Sequence, residues 1–509
     1  MSTQADGRKS EGKLPDGSFI IAQNWDRFGA RSCGILNAYY VSRLVKCDFR
    51  FTWPRDNRFP ELPEFLNLLR PEFKQKYLVD EKLIEGVPTK TLNLSGLLSR
   101  EQLNHSIENL EGQHTFVLED LFQVPLFSDT TVEEALQELQ SLSDELWSLE
   151  VIELFNSART EIQNSDVLHA RFGDLVTGEW RNFVEPTKYI TGWQIDNLLA
   201  LRASQGKRVI LITDSPDVKK VFDQDEVTDF KHLDRGNFSN DARRLVSDLA
   251  LMKYSEKLYA PDASAFSTLG AHIGGKQITK LSRERILTAP EVSIVSKCKE
   301  IWLGKKIPNG NAFVSRDLDQ YVNCLSGIFS LAKLKFLTRA AYQADKKNVT
   351  AISHLAVTRA LQGRFVVAER MIRKAIRISK NSYETHHDPL FLALSVKYLI
   401  ETLRIISNGT KFYCSSYTWT NSLRKTVRTR SQLDNVNPYQ FPKNTALNRF
   451  DQIQQGLNPW IRPSVRFRPK KLGQASPIPT ICADTFPSSG NLFILNLAEA
   501  ISTQLSPGH

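Results

Sequence analysis

The apolar run 209–212 constrains the fold more strongly than any other stretch of the chain. It reads Val-Ile-Leu-Ile without interruption and is followed by Thr213 and Asp214. A strand that is apolar on both faces is typical of a parallel sheet covered by helices on both sides. Residues 193–203, just before it, carry apolar side chains at helical spacing. The alternation of strand and helix predicts an α/β fold.

The N-terminal part of the chain shows the same alternation. Residues 18–22 form an apolar run that predicts a buried strand, and residues 23–31 are expected to be a polar turn. Helical spacing then extends from Ser32 to Leu44, and residues 48–53 predict a second strand. Strand, helix and strand in this order indicate a βαβ unit and a parallel sheet.

A polar string follows the predicted strand at Val167 and Leu168. His169 and Arg171 are two residues apart, so on an extended chain their side chains project to the same side. The planar guanidinium of Arg171 is suited to phosphate oxygens, and Glu179 can accept a proton from an incoming hydroxyl. The string therefore predicts an anion site with a base nearby, and a structural Arg–Glu ion pair is the alternative.

Two further polar segments follow predicted strands. Thr213 and Asp214 stand at a strand end, where α/β folds bind ligands, although helix capping by Asp214 or Ser215 is the alternative. Residues 264–270 form a hydroxyl-rich turn that opens a helix, and a helix N-terminus suits a phosphate. Both segments therefore predict contacts to an anionic ligand.

Length and composition predict a globular protein of several domains. The 509 residues correspond to three or four domains of about 150 residues. No apolar run approaches the roughly 20 residues of a membrane span, and residues 1–17 lack the apolar core of a secretory signal. The six cysteines are widely separated without a Cys-x-x-Cys pair, which favours reduced thiols. We therefore expect a cytoplasmic protein.

The charge balance favours anionic partners. The net charge is +10, and residues 462–471 are basic with little acid. Such a segment can contact an anionic membrane surface or a nucleic acid, and a solvated tail is the alternative. We expect peripheral contact with an anionic membrane at most, and the sequence does not favour a nucleic-acid partner.

Residues 169–174 resemble the His-x-Arg-x-Gly-Asp signature of the fucosyltransferase superfamily, which includes the α1,2-, α1,6- and protein O-fucosyltransferases. Thr213-Asp214 is similar to the Thr-Asp motif of that superfamily, and residues 264–267 are similar to its Ser-x-Phe-Ser string. Residues 27–29 resemble an Arg-Phe-Gly-Asn loop, but Ala30 replaces the asparagine. The resemblance covers residues 18–285.

The resemblance implies a GT-B-like architecture, in which two Rossmann-like domains face each other across a cleft. We expect an N-terminal Rossmann-like domain on the acceptor side (1–155) and a nucleotide-sugar-binding Rossmann-like domain (156–305). A helical region (306–408) and a basic, loop-rich extension (409–509) are expected to follow. Residues 348–380 of the helical region resemble one tetratricopeptide unit.

The resemblance also implies inverting, metal-independent transfer of fucose from GDP-β-L-fucose to the hydroxyl of a glycan or glycoconjugate, without a cofactor. Arg171 would stabilise the leaving diphosphate. Glu179 aligns with the base of the α1,6-type enzymes, a role that the protein O-fucosyltransferases do without. Phe172 stands where the α1,6- and α1,2-type enzymes carry a second arginine, so one phosphate contact is either missing or supplied by Arg27 or Arg31.

The resemblance extends to further site residues. Asp248 lies eighteen residues before Phe266, close to the spacing of an aspartate that reads guanine, and an ordinary surface charge is the alternative. The residues expected to bind the donor are His169, Asp174, Thr213, Asp214, Asp248, Ser264, Phe266 and Ser267. The residues of the possible acceptor or donor loop are Arg27, Phe28, Gly29 and Arg31.

Other interpretations of the sequence remain open. Residues 223–225 and 317–319 match the Asp-x-Asp metal motif of other glycosyltransferases, but neither follows a convincing strand end. A transferase using another nucleotide sugar would keep Arg171 without the guanine preference of Asp248. An interaction protein would use the helical unit and the basic tail and ignore nucleotides.

Overall fold

The structure is a computed structural model of the 509-residue chain. It describes residues 17–24, 27–55, 60–92, 94, 99–109, 112–118, 123–162, 164–177, 188–222, 239–261, 264–281, 289–324, 331–381, 396–397 and 400. The basic segment 462–471 and the predicted extension 409–509 lie outside these residues.

The first sheet contains the predicted N-terminal βαβ unit. Its strands are β1 (Phe19–Ala22), β2 (Asp48–Phe51), β3 (Thr89–Leu92) and β4 (Thr115–Leu118), in the spatial order β2-β1-β4-β3. All three pairings are parallel, and Phe19 lies opposite both Asp48 and Thr115. The parallel sheet expected from the strand–helix alternation is confirmed.

The second sheet contains the strands before the candidate site residues. Its strands are β5 (Ser165–Ala170), β6 (Arg208–Thr213), β7 (Leu258–Tyr259) and β8 (Ile278–Thr279), in the order β6-β5-β7-β8. The pairs β5–β7 and β7–β8 are parallel, with Leu258 opposite Val167 and Ile278. Five of the six β6 residues are buried, as expected for an apolar strand covered on both faces.

Helices connect and cover the strands. The helices that precede β5 are α1 (Phe28–Leu44), α2 (Leu62–Phe65), α3 (Pro71–Tyr77), α4 (Glu81–Ile84), α5 (Arg100–Glu108), α6 (Val132–Leu146) and α7 (Leu149–Ile162), with a short 3₁₀ helix at Leu66–Leu68. Those that follow are α8 (Gly192–Ser204), α9 (Pro216–Phe222), α10 (Asn240–Tyr254), α11 (Ala265–Ile273), α12 (Glu291–Gly304), α13 (Gly310–Cys324), α14 (Leu331–Ala344), α15 (Val349–Leu361) and α16 (Phe365–Asn381). Gly173–Thr177 form a π-helical turn.

The start of α1 corrects the sequence interpretation. The polar turn was expected to extend to residue 31 and the helix to begin at Ser32, but α1 begins at Phe28. The Arg27 carbonyl accepts from the backbone N–H groups of Ala30 and Arg31 at 3.1 and 3.2 Å. No side chain caps this end, so the usual sequence signal for a helix start is missing.

The chain divides into two compact units by its internal contacts. Unit 1 comprises residues 1–170, 199–212 and 224–281, and unit 2 comprises residues 171–198, 213–223 and 282–509. Unit 1 contains the first sheet, and its core includes Ile20, Phe51, Phe116 and Leu269. Unit 2 contains α12 to α16.

The fold is mixed α/β with parallel sheets and many helices, as predicted. The GT-B-like arrangement, the four domain ranges and the tetratricopeptide-like unit remain predictions. Among the described residues, no helix has both the length and the apolar character needed to cross a bilayer.

Candidate functional site

Arg171 follows directly on a buried strand. All six residues of β5 are buried, and His169 near its end is 9% exposed. Arg171, the first residue after the strand, is half-buried. The backbone of Asp174 lies in the π-helical turn that follows, whereas Glu179 lies outside the described residues. The strand therefore ends where the phosphate-binding arginine was predicted.

The carboxylate of Asp214 holds the backbone next to Arg171. Its Oδ1 accepts hydrogen bonds from the N–H groups of Phe172 at 2.7 Å and Gly173 at 2.9 Å. A Cβ atom added at Gly173 would lie 3.2 Å from Asp214 Oδ2, so a glycine suits this close approach. Asp214 was predicted to bind the donor or to cap a helix, and the structure places Oδ1 on the loop amides of unit 2.

Thr213 acts locally within the same turn. Its side chain is buried, and Oγ1 accepts a hydrogen bond from the Ser215 N–H at 3.2 Å. Helix α9 begins at the next residue, Pro216. Thr213 therefore helps to order the connection into α9. Helix capping by Asp214 or Ser215 stays a prediction.

Phe172 is a core residue of unit 2. It has no exposed surface, and its ring centroid lies 5.2 Å from that of Tyr189, 5.6 Å from that of Trp302 and 5.9 Å from that of Phe313. The motif of the α1,6- and α1,2-fucosyltransferases was expected to carry a second arginine at this position. In this chain the position anchors the Arg171 loop by burying an aromatic ring.

Asp317 supports this aromatic cluster, and the sequence interpretation missed that role. Its carboxylate accepts from Trp302 Nε1 at 2.7 Å, from the Tyr189 hydroxyl at 2.7 Å and from the Gly192 N–H at 3.0 Å. Burial raises the pKa of Asp317 to about 7, against the lowering effect of these three donors. No local sequence pattern predicts this hydrogen-bond network, because its members lie up to 128 residues apart.

The Asp-x-Asp string at 317–319 therefore serves the interior of unit 2. Asp319 is 1% exposed and its Oδ1 lies 2.8 Å from His354 Nδ1. Two carboxylates buried in protein contacts do not form an open metal site. Within the described ranges, no three His, Cys, Asp or Glu side chains are grouped to hold a metal ion. The string 223–225 lies outside those ranges.

In unit 1, hydroxyl groups join His169 to the start of α11. Ser264 caps the helix by accepting from the Ser267 N–H at 3.3 Å. Ser267 Oγ donates to Ser264 Oγ at 2.9 Å and lies 2.5 Å from His169 Nδ1. The Ser267 hydroxyl therefore links the His169 imidazole to the residue that caps α11.

Phe266 packs against both His169 and α1 within unit 1. Its ring meets the His169 imidazole edge to face at a centroid distance of 5.7 Å. A Cβ atom added at Gly29 would lie 2.8 Å from Phe266 Cα, so only a glycine fits between the two helices. The predicted Phe-Gly of the N-terminal loop is therefore a helix contact, and Phe28 is buried.

The two arginines beside that Phe-Gly pair differ in their surroundings. Arg27 is the N-cap residue of α1 and is exposed. Arg31 is 2% exposed, its Nη1 donates to the Pro54 carbonyl at 2.7 Å and its guanidinium lies 5.3 Å from the Trp53 ring centroid. Of the two, Arg27 is the one whose side chain reaches solvent.

Asp248 lies in the middle of α10, and its side chain is half-buried. It belongs to unit 1, as do His169, Ser264, Phe266 and Ser267, whereas Arg171 and Asp214 belong to unit 2. The structure thus groups the predicted residues into two sets, each ordered by its own hydrogen bonds. Reading of a guanine base by Asp248 remains a prediction.

No protein-family model matches the chain, and no curated protein matches it. Among solved structures, POFUT1 in complex with GDP-fucose aligns with 53% of this chain and 99% of its own, at 13% identity and a TM-score of 0.29. POFUT1 in complex with GDP aligns with 52% and 99% of the two chains, at 12% identity and a TM-score of 0.30. A mutant of Arabidopsis thaliana FUT1 in complex with GDP aligns with 52% and 70%, at 10% identity and a TM-score of 0.26. At these TM-scores the superpositions carry no weight for the fold or the activity.

Proposed function

We propose that this protein is a glycosyltransferase that transfers fucose from GDP-β-L-fucose to a hydroxyl of a glycan or glycoconjugate, with inversion and without a metal ion. The observation that carries the proposal is the Asp214 carboxylate on the two amides that follow Arg171. These hydrogen bonds hold the backbone next to Arg171 and so limit where its guanidinium can lie. A group that binds phosphate in the transition state is more effective when it is preorganised in this way. The motif around it resembles that of fucosyltransferases.

The proposed reaction is a displacement at the anomeric carbon of fucose. The acceptor oxygen forms a bond to that carbon while the bond to the β-phosphate oxygen breaks, and GDP leaves with the bonding electron pair. Negative charge therefore grows on the diphosphate, and Arg171 stabilises it in place of a metal ion. The proton of the acceptor hydroxyl passes to a base, a role we assign to Glu179.

The residues of unit 1 have proposed roles in holding the donor. The N-terminus of α11 at Ser264 offers backbone N–H groups to a phosphate. His169 is held by Ser267 in a defined orientation. Asp248 would pair with the N1–H and 2-amino donors of guanine, a pattern that adenine and uracil do not offer.

Calorimetric titration with GDP, UDP and ADP tests the proposed donor. We expect binding of GDP alone and loss of that preference in Asp248→Ala. Arg171→Ala should weaken GDP binding, while Arg43→Ala, at an exposed arginine of α1, should leave it unchanged. Tight binding of UDP would indicate a transferase with another donor. The absence of nucleotide binding together with no hydrolysis of GDP-fucose would favour an interaction protein.

A further inference from the structure

Three consecutive helices carry a large excess of positive charge. Residues 331–381, which span α14 to α16, contain twelve Lys and Arg and two Asp and Glu, a net charge of +10. The whole chain contains 66 and 56, also +10. The other 458 residues are therefore neutral as a set. This helical segment of unit 2 can therefore attract an anionic partner.

Most of these cations point into solvent. The exposed ones are Lys335, Arg339, Lys346, Lys347, Arg364, Arg370, Arg373 and Arg377. Glu369 is the one acidic residue in the sequence of α16, and it lies 3.5 Å from Arg373, whose side chain stays 72% exposed. One carboxylate does not neutralise three arginines, so α16 presents a strong net positive charge.

The exposed residues of α16 form one face of the helix. Val366, Arg370, Arg373 and Arg377 recur at intervals of four, three and four residues, which places them along one line on a helix. We call these four residues the basic face. The line Ala368, Ile372, Ala375 and Ser379 is two residues out of phase and fully buried. The helix is thus anchored on one side and turns the basic face outward.

The basic face includes apolar surface that is exposed in the part of unit 2 that the structure describes. Val366 is 64% exposed and its neighbour Val367 is 42% exposed. Lys374 of α16 donates a hydrogen bond to the Tyr342 hydroxyl of α14 at 3.3 Å. On α14, Phe336 is 41% exposed and stands next to Lys335 in the sequence. Exposed aliphatic and aromatic side chains next to cations are typical of surfaces that bind the headgroup region of a bilayer.

We propose that the basic face of α16 binds the surface of a membrane that contains anionic lipids. The arginines pair with lipid phosphates and carboxylates, and Val366 with Val367 enters the boundary between headgroups and acyl chains. A nucleic acid would use the arginines equally well, but it gives an exposed valine pair no apolar partner, since its own apolar surface lies in the stacked bases. The combination therefore favours lipid. The proposal uses none of the donor-binding residues named above.

Sedimentation of the full-length protein with phosphatidylcholine vesicles that contain 0 to 40% phosphatidylserine tests the proposal. Binding should rise with the anionic fraction and fall with added salt. The variant Arg370→Glu/Arg373→Glu/Arg377→Glu should bind roughly 100-fold more weakly, because each cation near an anionic surface contributes about fivefold. The variant Val366→Ser/Val367→Ser should bind more weakly at every salt concentration, since it loses only the apolar part.

A matched control separates the basic face from net charge. Arg43→Glu/Lys82→Glu/Lys90→Glu changes the charge equally at exposed positions of unit 1 and should bind vesicles like the wild type. Thermal unfolding verifies that each variant is folded. The proposal is overturned if the control loses as much binding as the α16 variant. It is also overturned if the wild type ignores anionic vesicles, or if only a duplex RNA probe binds the basic face.

Discussion

At the scale of single residues, the candidate site depends on side chains that hold the segment around Arg171 in place. Asp214 places Oδ1 on the amides of Phe172 and Gly173, and Phe172 fills a buried aromatic cluster. Neither residue needs to touch a substrate for these contacts to exist. Both fix the segment that carries Arg171. We therefore regard Asp214 as a positioning residue for the proposed reaction.

Two substitutions at Asp214 test the positioning role. Asp214→Ala removes an anionic acceptor of two hydrogen bonds, worth about 1.5–3 kcal/mol, and should lower kcat by roughly 10- to 100-fold. Asp214→Asn keeps a carbonyl oxygen for both amides and should restore most of the rate. Steady-state kinetics with GDP-fucose measures both variants. Equal losses in the two would show that the charge acts on substrate directly.

Gly29→Ala is expected to destabilise unit 1. The added Cβ would lie 2.8 Å from Phe266 Cα, and backbone cannot move aside as a flexible side chain can. The cost of such overpacking is about 1–3 kcal/mol. Thermal or urea unfolding measures it. Gly304→Ala is the control, because nothing lies within 4 Å of a Cβ at that helical glycine, and it should leave stability unchanged or slightly raised.

Asp317 is expected to make stability depend on pH. Its pKa in the folded protein is about 7, whereas an aspartate in an unfolded chain titrates near 4. Between about pH 4 and 7 the folded protein therefore keeps a proton that the unfolded chain releases. The free energy of unfolding should fall across that window as pH rises, and level off above it.

Urea unfolding of the wild type and of Asp317→Asn from pH 4.5 to 7.5 isolates this contribution. The variant lacks the titrating group, so the wild type should lose stability relative to it as pH rises. The variant should also be less stable at every pH if an amide leaves one of the Trp302, Tyr189 and Gly192 donors without an acceptor. Parallel pH profiles would contradict the raised pKa.

At the scale of elements, local signals in the sequence predict some boundaries and miss others. Helix α6 begins with a capping box whose residues stand three apart in the sequence, with Thr131 accepting from the Glu134 N–H and Glu134 accepting from the Thr131 N–H. Ser264 likewise caps α11 at the predicted helix start. The start of α1 was predicted four residues too late, because Arg27 makes no side-chain cap that would mark the helix start in the sequence. Boundaries were predictable where a side chain forms the cap.

The capping box of α6 gives a prediction for helix stability. Thr131→Ala removes the hydroxyl that accepts from the Glu134 N–H at 3.2 Å and should lower the free energy of unfolding by about 1 kcal/mol. Gln137→Ala, at an exposed position inside the same helix, is the control and should be neutral or slightly stabilising. Urea unfolding distinguishes them. Equal stabilities for the two variants would mean that the cap contributes nothing.

At the scale of the whole molecule, long-range contacts separate what the sequence predicts from what it does not. The apolar runs predict parallel strands such as β5 and β6, since burial on both faces leaves a local pattern. The support of Phe172 by Asp317 leaves none, because residues 302 and 317 meet residues 172, 189 and 192 only after folding. The Asp-x-Asp at 317–319 was weighed as a metal motif for the same reason.

Charge is also a property of the whole molecule that the sequence gives only in part. The net charge of +10 predicts an anionic partner, and the structure shows which cations of α14 to α16 are exposed. The basic segment 462–471, which the sequence also offers to such a partner, lies outside the described residues.

The rate of GDP release from GDP-fucose, with and without added glycan acceptors, tests the central claim most directly. The proposed chemistry predicts turnover by the wild type and a loss of at least about 100-fold in Arg171→Lys, because a lysine cannot reproduce the planar fork of the guanidinium. Arg43→Lys should retain the wild-type rate. An Arg171→Ala variant that releases GDP as fast as the wild type would contradict the account.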